Sequence, residues 1–234
     1  MSSINQQSTN GRRRFLSSLS AGAAALGIAQ LAVPVESRAS DKPSFTDPGN
    51  EADAWFNKVK GKHRVIFDCT KPNGMMPFAW PKVFLMTNGI TGTKASDCGV
   101  VVVLRHEAIP FAFENRIWET YKFGEVFKYD DPVSNAPATR NPFWEPKPGD
   151  FKVPGVGEVQ IGINELQDNG VMFCVCNMAI TVFTSAVADG MKMDAQEIRK
   201  DWMSGLLPGI QPVPSGVWAV GRAQEHGCAY IYAG

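Results

Sequence analysis

The sequence predicts an α/β protein built on a mostly parallel sheet, and two observations carry that class. The run GVVVVL, Gly99 to Leu104, is apolar and β-branched without alternation, the pattern of a strand buried on both faces, as in a parallel sheet covered by helices. Short runs of this kind then alternate along the chain with segments of helical length, the order that parallel strands with crossover helices produce. At 234 residues, 44% hydrophobic and 20% charged, the chain can bury one good core.

The first forty residues read differently. Arg12, Arg13, Phe15 and Leu16 fit the twin-arginine pattern of two arginines, a spacer and Phe-Leu. A weakly apolar Ala/Gly/Leu stretch follows, and small residues at Ser37 and Ala39 fit a cleavage site, so residues 1–39 are expected to be a signal peptide, with the mature chain starting near Ser40. The stretch from about Leu19 to Val35 is shorter than the ~20 residues that span a bilayer, which argues against an uncleaved anchor. The expected location is the periplasm, reached through the twin-arginine translocase, a route taken by proteins that fold before they cross. Removing Arg12, Arg13, Arg14 and Arg38 together with Glu36 from equal totals of 23 basic and 23 acidic residues leaves the mature chain acidic by three charges. Such a surface does not attract nucleic acid, and no mature segment is apolar enough for a stable membrane span.

Residues 40–61 read as a polar lead and a short amphipathic helix carrying Trp55, Phe56 and Val59, with the main domain covering 62–234. His63 to Cys69 (HRVIFDC) is a strand and KPNGMM a loop. PFAWPKVFLMTNGI is of helical length, with Pro81 expected near the first turn and Asn88-Gly89 as its stop. After the valine strand, FAFENRIWETYKFGEVF should be irregular and then helical, its aromatics serving packing. Residues from about 130 to 156 hold six prolines and are too long for a plain connection, which suggests a lid, a partner-binding arm or disorder. EVQIGINELQDNG is expected to be a helix with an Asn-Gly cap, VMFCVC (Val171 to Cys176) a strand, and NMAITVFTSAVADGM a helix. DAQEIRKDWMSGL follows as a helix opened by Asp194 with Glu197 three residues on. PVPSGVWAVGRAQEHG supplies a strand and a helix ended by Gly227, and CAYIYAG the closing strand.

Ligands of open parallel sheets bind outside the carboxyl ends of the strands. Those ends carry Asp68, Cys69 and Thr70, then Arg105, His106 and Glu107, then Cys176 and Asn177. Cys176 also opens a helix, where free N–H groups and the helix dipole favour a negative atom, the setting of a nucleophilic thiolate. Cys174, two residues earlier, faces the same side one pleat deeper and reads as a buried core cysteine. A bond between the two would close a small, strained ring. His106 could serve as base, donor or ligand, and Arg105 could hold an anionic sulfur substrate or pair with Glu107. Thr70 and Asn177 complete the candidate substrate contacts. Cys69 is open between core, site and disulfide partner, while Cys98 and Cys228 begin strands at the opposite edge and read as structural, free or bonded to each other. The five cysteines are an odd number, which leaves at least one thiol over. No second cysteine pair stands at zinc-finger spacing, and no strand-anchored G-x-G-x-x-G supports a nicotinamide cofactor.

Three segments, L-x-x-N-G-V-x-F-x-V-C-N-x-A from Leu166 to Ala179, LPGIQPVPSGV from Leu207 to Val217, and AQEHGCAYI near the end, resemble the DsrE/DsrF-like sulfurtransferase superfamily. The resemblance covers most of residues 60–234 apart from the proline-rich loop, and implies a three-layer α/β/α domain with about five strands, commonly in dimers, trimers or hexamers. It further implies that Cys176 carries sulfur as a persulfide and passes it between a donor and an acceptor, a protein or a small sulfur compound. The better-understood branches are cytoplasmic, and their small subunits lack LRHEAIPF and the proline-rich loop. The expected function is thus exported sulfur handling on Cys176 with no required cofactor, His106 and Cys69 sharing its pocket. The alternative is a non-catalytic accessory protein that binds a ligand, haem or metal.

Overall fold

The computed structural model describes residues 48–234; the expected signal peptide and the segment that follows it lie outside the described residues. In chain order the elements are α1 (Pro48–Phe56), β1 (His63–Cys69), α2 (Met76–Ile90), β2 (Cys98–Leu104), α3 (Asn115–Thr120), α4 (Phe123–Val126), β3 (Lys152–Val153), β4 (Gly157–Glu158), α5 (Ile163–Asp168), β5 (Val171–Cys176), α6 (Asn177–Met191), α7 (Ala195–Ser204), β6 (Ile210–Val213), α8 (Gly216–Glu225) and β7 (Ala229–Tyr232). They fall into two compact units. The larger runs from Asp47 to Ala179 and from Trp202 to Gly234; the smaller contains Ile180–Asp201.

The larger unit holds a five-stranded sheet in the order β6-β5-β2-β1-β7, every neighbouring pair parallel. Its central strand is the valine run, and all seven residues of β2 are buried. Strand alternation sends Ile66, Val101, Val103 and Cys174 to one face, where they meet Trp55 and Phe56 of α1 and Ala219 and Ala223 of α8. The intervening residues turn to the other face, where Phe67 lies 6.4 Å from Phe84 and Phe173 6.4 Å from Phe78, both rings on α2. Helices on both faces of one parallel sheet make the three-layer α/β/α fold. Each buried valine of β2 contributes roughly 1.5–3 kcal/mol by leaving water, enough to make this strand the frame on which the other four align.

The remaining elements follow local rules with three departures. α2 runs through Asn88 and Gly89 to Ile90 rather than stopping there, and its last-turn carbonyls are met from just beyond it: Thr91 Oγ1 donates to the Thr87 (3.1 Å) and Asn88 (3.0 Å) carbonyls and the Gly92 N–H to the Gly89 carbonyl. The helix begins at Met76, so Pro77 takes the early position where a missing N–H is harmless, and Pro81 stands in the second turn. α5 is confined to Ile163–Asp168: Gly157 and Glu158 pair with β3, and the extended Gly162 caps the helix, its N–H donating to Glu165 Oε2 at 2.8 Å. Its end is the expected one, with Gly170 left-handed at φ +85°. α1 ends at Phe56, and Val59 is buried beyond it.

The proline-rich segment is a packed part of the fold. Phe143 is fully buried between Phe78 (4.0 Å, 26°) and Phe151 (4.8 Å, 6°), with Phe111 at 5.4 Å edge-on. Asn141, also fully buried, donates from Nδ2 to the carbonyls of Phe111 and Phe113 and accepts at Oδ1 from the Phe143 N–H. Arg140 pairs with Asp131 and Asp150. A lid could not bury its own aromatic ring in the core it covers.

In the smaller unit, Asp194 caps α7 as its sequence suggests, Oδ1 accepting from the N–H groups of Gln196 (2.8 Å) and Glu197 (3.0 Å).

Phe143→Ala should destabilise the protein by about 3–5 kcal/mol, the range for a buried phenylalanine. Limited proteolysis of this variant should open cleavage between residues 130 and 156 before the sheet is attacked; an unchanged urea midpoint would contradict the packing described.

Candidate functional site

The last residues of β1, β2 and β5 form one edge. Leu104 is level with Val175 on one side and Cys69 on the other. Arg105 continues β2 with extended dihedrals (φ −137°, ψ 166°), and its N–H donates to the Cys69 carbonyl at 3.0 Å. The register therefore sets Arg105 level with Cys176, and alternation puts both side chains on the α8 face.

Cys176 ends β5 where α6 begins. Its Sγ accepts the N–H of Ala179 at 3.3 Å, so the sulfur takes the place of a capping oxygen at the amino end of a 15-residue helix. The residue is 7% exposed, and Asn177 beside it 6%. Cys174 is fully buried one pleat deeper. Its thiol is pushed well up, first by burial and then by the neighbouring Cys176 and Cys69 sulfurs.

Arg105 pairs with Asp68, not with Glu107. Nε donates to Asp68 Oδ1 at 2.6 Å and Nη2 to Oδ2 at 2.9 Å, a two-pronged pair, and the Tyr230 hydroxyl donates to the same Oδ2 at 2.8 Å. The hydrogen bond to Asp68 raises the Arg105 pKa, burial opposes this, and the charges of Asp68, Tyr230 and Cys176 raise it further. The guanidinium stays cationic, within electrostatic reach of Cys176. A Cβ on Gly216 would lie 2.5 Å from Arg105 Cβ and Cδ, so this glycine, the first residue of α8, leaves the groove along which the arginine lies.

The other candidates stand elsewhere. Cys69 is fully buried on the sheet face that turns to α2, its Sγ 3.9 Å from the Phe67 carbonyl, and burial pushes its thiol far up. Thr70 fastens the end of β1 to the chain after β7, its Oγ1 donating to the Gly234 carbonyl at 2.6 Å and lying 3.1 Å from the Tyr232 hydroxyl. Cys69 ends β1 and Thr70 follows it, two strands from Cys176. His106 is exposed and left-handed (φ +51°) directly after Arg105, a conformation that histidine visits more readily than most residues. Cys98 begins β2 and Cys228 precedes β7; all five cysteines are free, so neither the Cys98–Cys228 bond nor the Cys174–Cys176 ring forms.

Tyr230 and Gly216 escape a reading of strand ends, because each acts through Arg105. Asp68 gave the available signal. A carboxylate in the apolar run HRVIFDC must be paired if buried, and Arg105 stands two residues beyond its neighbour Val103 in the next strand, on the same face. Among the described residues, no group of three or more His, Cys, Asp or Glu is placed to hold a metal ion, and no helix among them is long and apolar enough to cross a membrane. A cleft of about 420 Å³, lined by Lys58, Lys60, Ser96, Cys98, Asp168 and Met172, lies at the amino ends of the strands and touches none of the candidate residues.

Two predictions follow from burial. Arg105→Met leaves Asp68, 2% exposed, uncompensated and should cost about 3–5 kcal/mol. Asp68→Asn leaves an arginine that is 27% exposed and should cost distinctly less; equal losses in urea titration would refute the asymmetry. The second concerns pH. Cys69 and Cys174 keep their protons in the fold, whereas the unfolded chain ionises them near pH 8.5. Their contribution to stability is therefore complete below about pH 8.5 and falls as pH rises above it, by about 1.4 kcal/mol per pH unit for each thiol. The Cys69→Ala/Cys174→Ala variant should show a flatter loss of urea midpoint between about pH 8 and 10.

No family model matches the chain, and no curated protein does. Among solved structures the chain is similar to a protein of unknown function, MTH1491 from Methanobacterium thermoautotrophicum, with 17% identity and a TM-score of 0.38 over 73% of this chain and 99% of that one.

Proposed function

We propose that this protein handles sulfur outside the cytoplasm, carrying sulfane sulfur as a persulfide on Cys176 and passing it to a second thiol. The observation that carries the reading is the placement of the Cys176 sulfur at the amino end of α6, hydrogen-bonded to the Ala179 N–H, with residue Arg105 level with it on the neighbouring strand and its charge within electrostatic reach. Both place full or partial positive charge near the sulfur atom that attacks. The thiolate attacks the outer sulfur of a donor, a new S–S bond forms at Sγ, and the donor's S–S bond breaks with its electron pair leaving on the remainder. An acceptor thiolate then takes the outer sulfur and returns Cys176 as thiolate. A sulfur 7% exposed in the chain favours a slim donor, a small sulfur compound or a narrow protein arm.

Export through the twin-arginine translocase belongs to the same reading and rests on Arg12, Arg13, Phe15 and Leu16. Assembly into a homo-oligomer, and the family likeness itself, rest on the sequence segments that resemble DsrE-like proteins.

The test is intact mass after incubation with polysulfide. Wild type should gain the mass of one or more sulfur atoms, reversibly with dithiothreitol, and Cys176→Ala should gain none. Wild type that never gains sulfur sinks the proposal, and a haem or metal absorbance in protein isolated from its native host would favour the accessory-protein alternative.

A further inference from the structure

The Asp68–Arg105 pair is built with more care than stability requires. A carboxylate brought into the sheet loses its water, and a buried ion pair seldom stabilises a fold more than apolar side chains of the same size. Here four features hold one guanidinium: the two-pronged bond from Asp68, the Tyr230 hydroxyl sharing Oδ2, the backbone bond from Arg105 N to Cys69, and the groove left by Gly216. An arginine has five N–H donors in a rigid fork. Asp68 engages the Nε and one Nη2 donor, which leaves the two donors of Nη1 and one of Nη2, on a side chain 27% exposed.

Resting on the persulfide reading above, we propose that Asp68 and Tyr230 are positioning residues that present the outer edge of the Arg105 guanidinium beside Cys176, and that the site takes its sulfur from a thiosulfate-type anion. In such a donor the sulfane sulfur is bonded to an SO₃ group. The Cys176 thiolate attacks the sulfane sulfur, the S–S bond to SO₃ breaks, and the electron pair leaves on sulfite. Charge that starts on Cys176 ends on sulfite and on the terminal persulfide sulfur, so a fixed cation level with Cys176 stabilises both products and the transition state between them. An uncharged donor presents no oxyanion to the fork. Asp68 neutralises part of the cation and in return fixes its plane, so the site selects on geometry more than on raw attraction.

The experiment compares two donors on the full mature chain, thiosulfate as the anion and dispersed elemental sulfur as the uncharged ring, reading sulfur gained on Cys176 by intact mass against time. Wild type should load from both. Arg105→Gln combined with Asp68→Asn, which removes both charges together and keeps the shapes close, should raise the thiosulfate KM on the order of tenfold, the scale of a lost charge-assisted hydrogen bond, and should slow loading from elemental sulfur by a clearly smaller factor, because Cys176 loses its cationic neighbour with either donor. Tyr230→Phe, which removes one hydroxyl from a half-exposed side chain, should move the same ratio in the same direction by a smaller factor. Raising salt should weaken thiosulfate loading alone. Loading from both donors that falls by the same factor, or does not change in either variant, overturns the assignment. Wild type that loads from elemental sulfur and never from thiosulfate overturns it while leaving the persulfide reading intact; wild type that loads from neither defeats both.

Discussion

Everything in the larger unit is arranged around one constraint: β2 is buried along its whole length and can tolerate no polar side chain. A strand so placed needs partners on both edges and helices on both faces, which is why β1 and β5 flank it and why α8 and α2 lie on opposite sides. It also pushes chemistry to the ends. The first residue after β2 free to be charged is Arg105, and the neighbouring strands give up their apolar character close by, with Cys176 level with Arg105 on one side and Asp68 opposite Val103, two residues lower, on the other. The candidate site is the place where the hydrophobic requirement of the middle strand stops.

The long segment after α4 solves a different problem. Phe78 of α2 contributes a ring that the sheet covers on one side only, and Phe143 and Phe151 stack onto the other. Stacked rings at 4.0 and 4.8 Å combine area burial with a favourable ring geometry. The segment has almost no regular structure to satisfy its own backbone, so Asn141 does this work by bridging three main-chain groups of the adjoining chain.

How much of this could be read from sequence depended on how local the cause was. β1 and β5 stand at the expected boundaries and β2 within one residue of them, because each is an apolar run closed by turn residues. α7 was legible through its Asp194 cap. The extent of α5 was not, since Gly157 and Glu158 are held by pairing with Val153 and Lys152 of β3, outside the segment that reads as a helix. The packing of the proline-rich segment was not legible for the same reason: its composition describes a chain without helix or strand, and composition contains no information about which aromatic ring will fill a gap on α2. At the site, Cys176 was legible because its two assets, a strand end and a helix start, are adjacent in sequence. Tyr230 was not, because it reaches Asp68 across 162 positions.

That separation has a consequence for the site. Asp68 is buried and accepts three hydrogen bonds, from Arg105 twice and Tyr230 once, so β1, β2 and β7 meet in a single carboxylate. Charge-assisted bonds of this kind have well-defined directions, and the ends of the three strands are held in register by polar bonds where the apolar packing has run out. Cys176 lies on β5, on the other side of β2 from that carboxylate, so the sulfur is left outside the network that orders the arginine next to it. A nucleophile gains from this separation. Its cationic neighbour is held still by partners that never touch the sulfur, and a change of charge at Cys176 can be met by a guanidinium that does not have to reorganise.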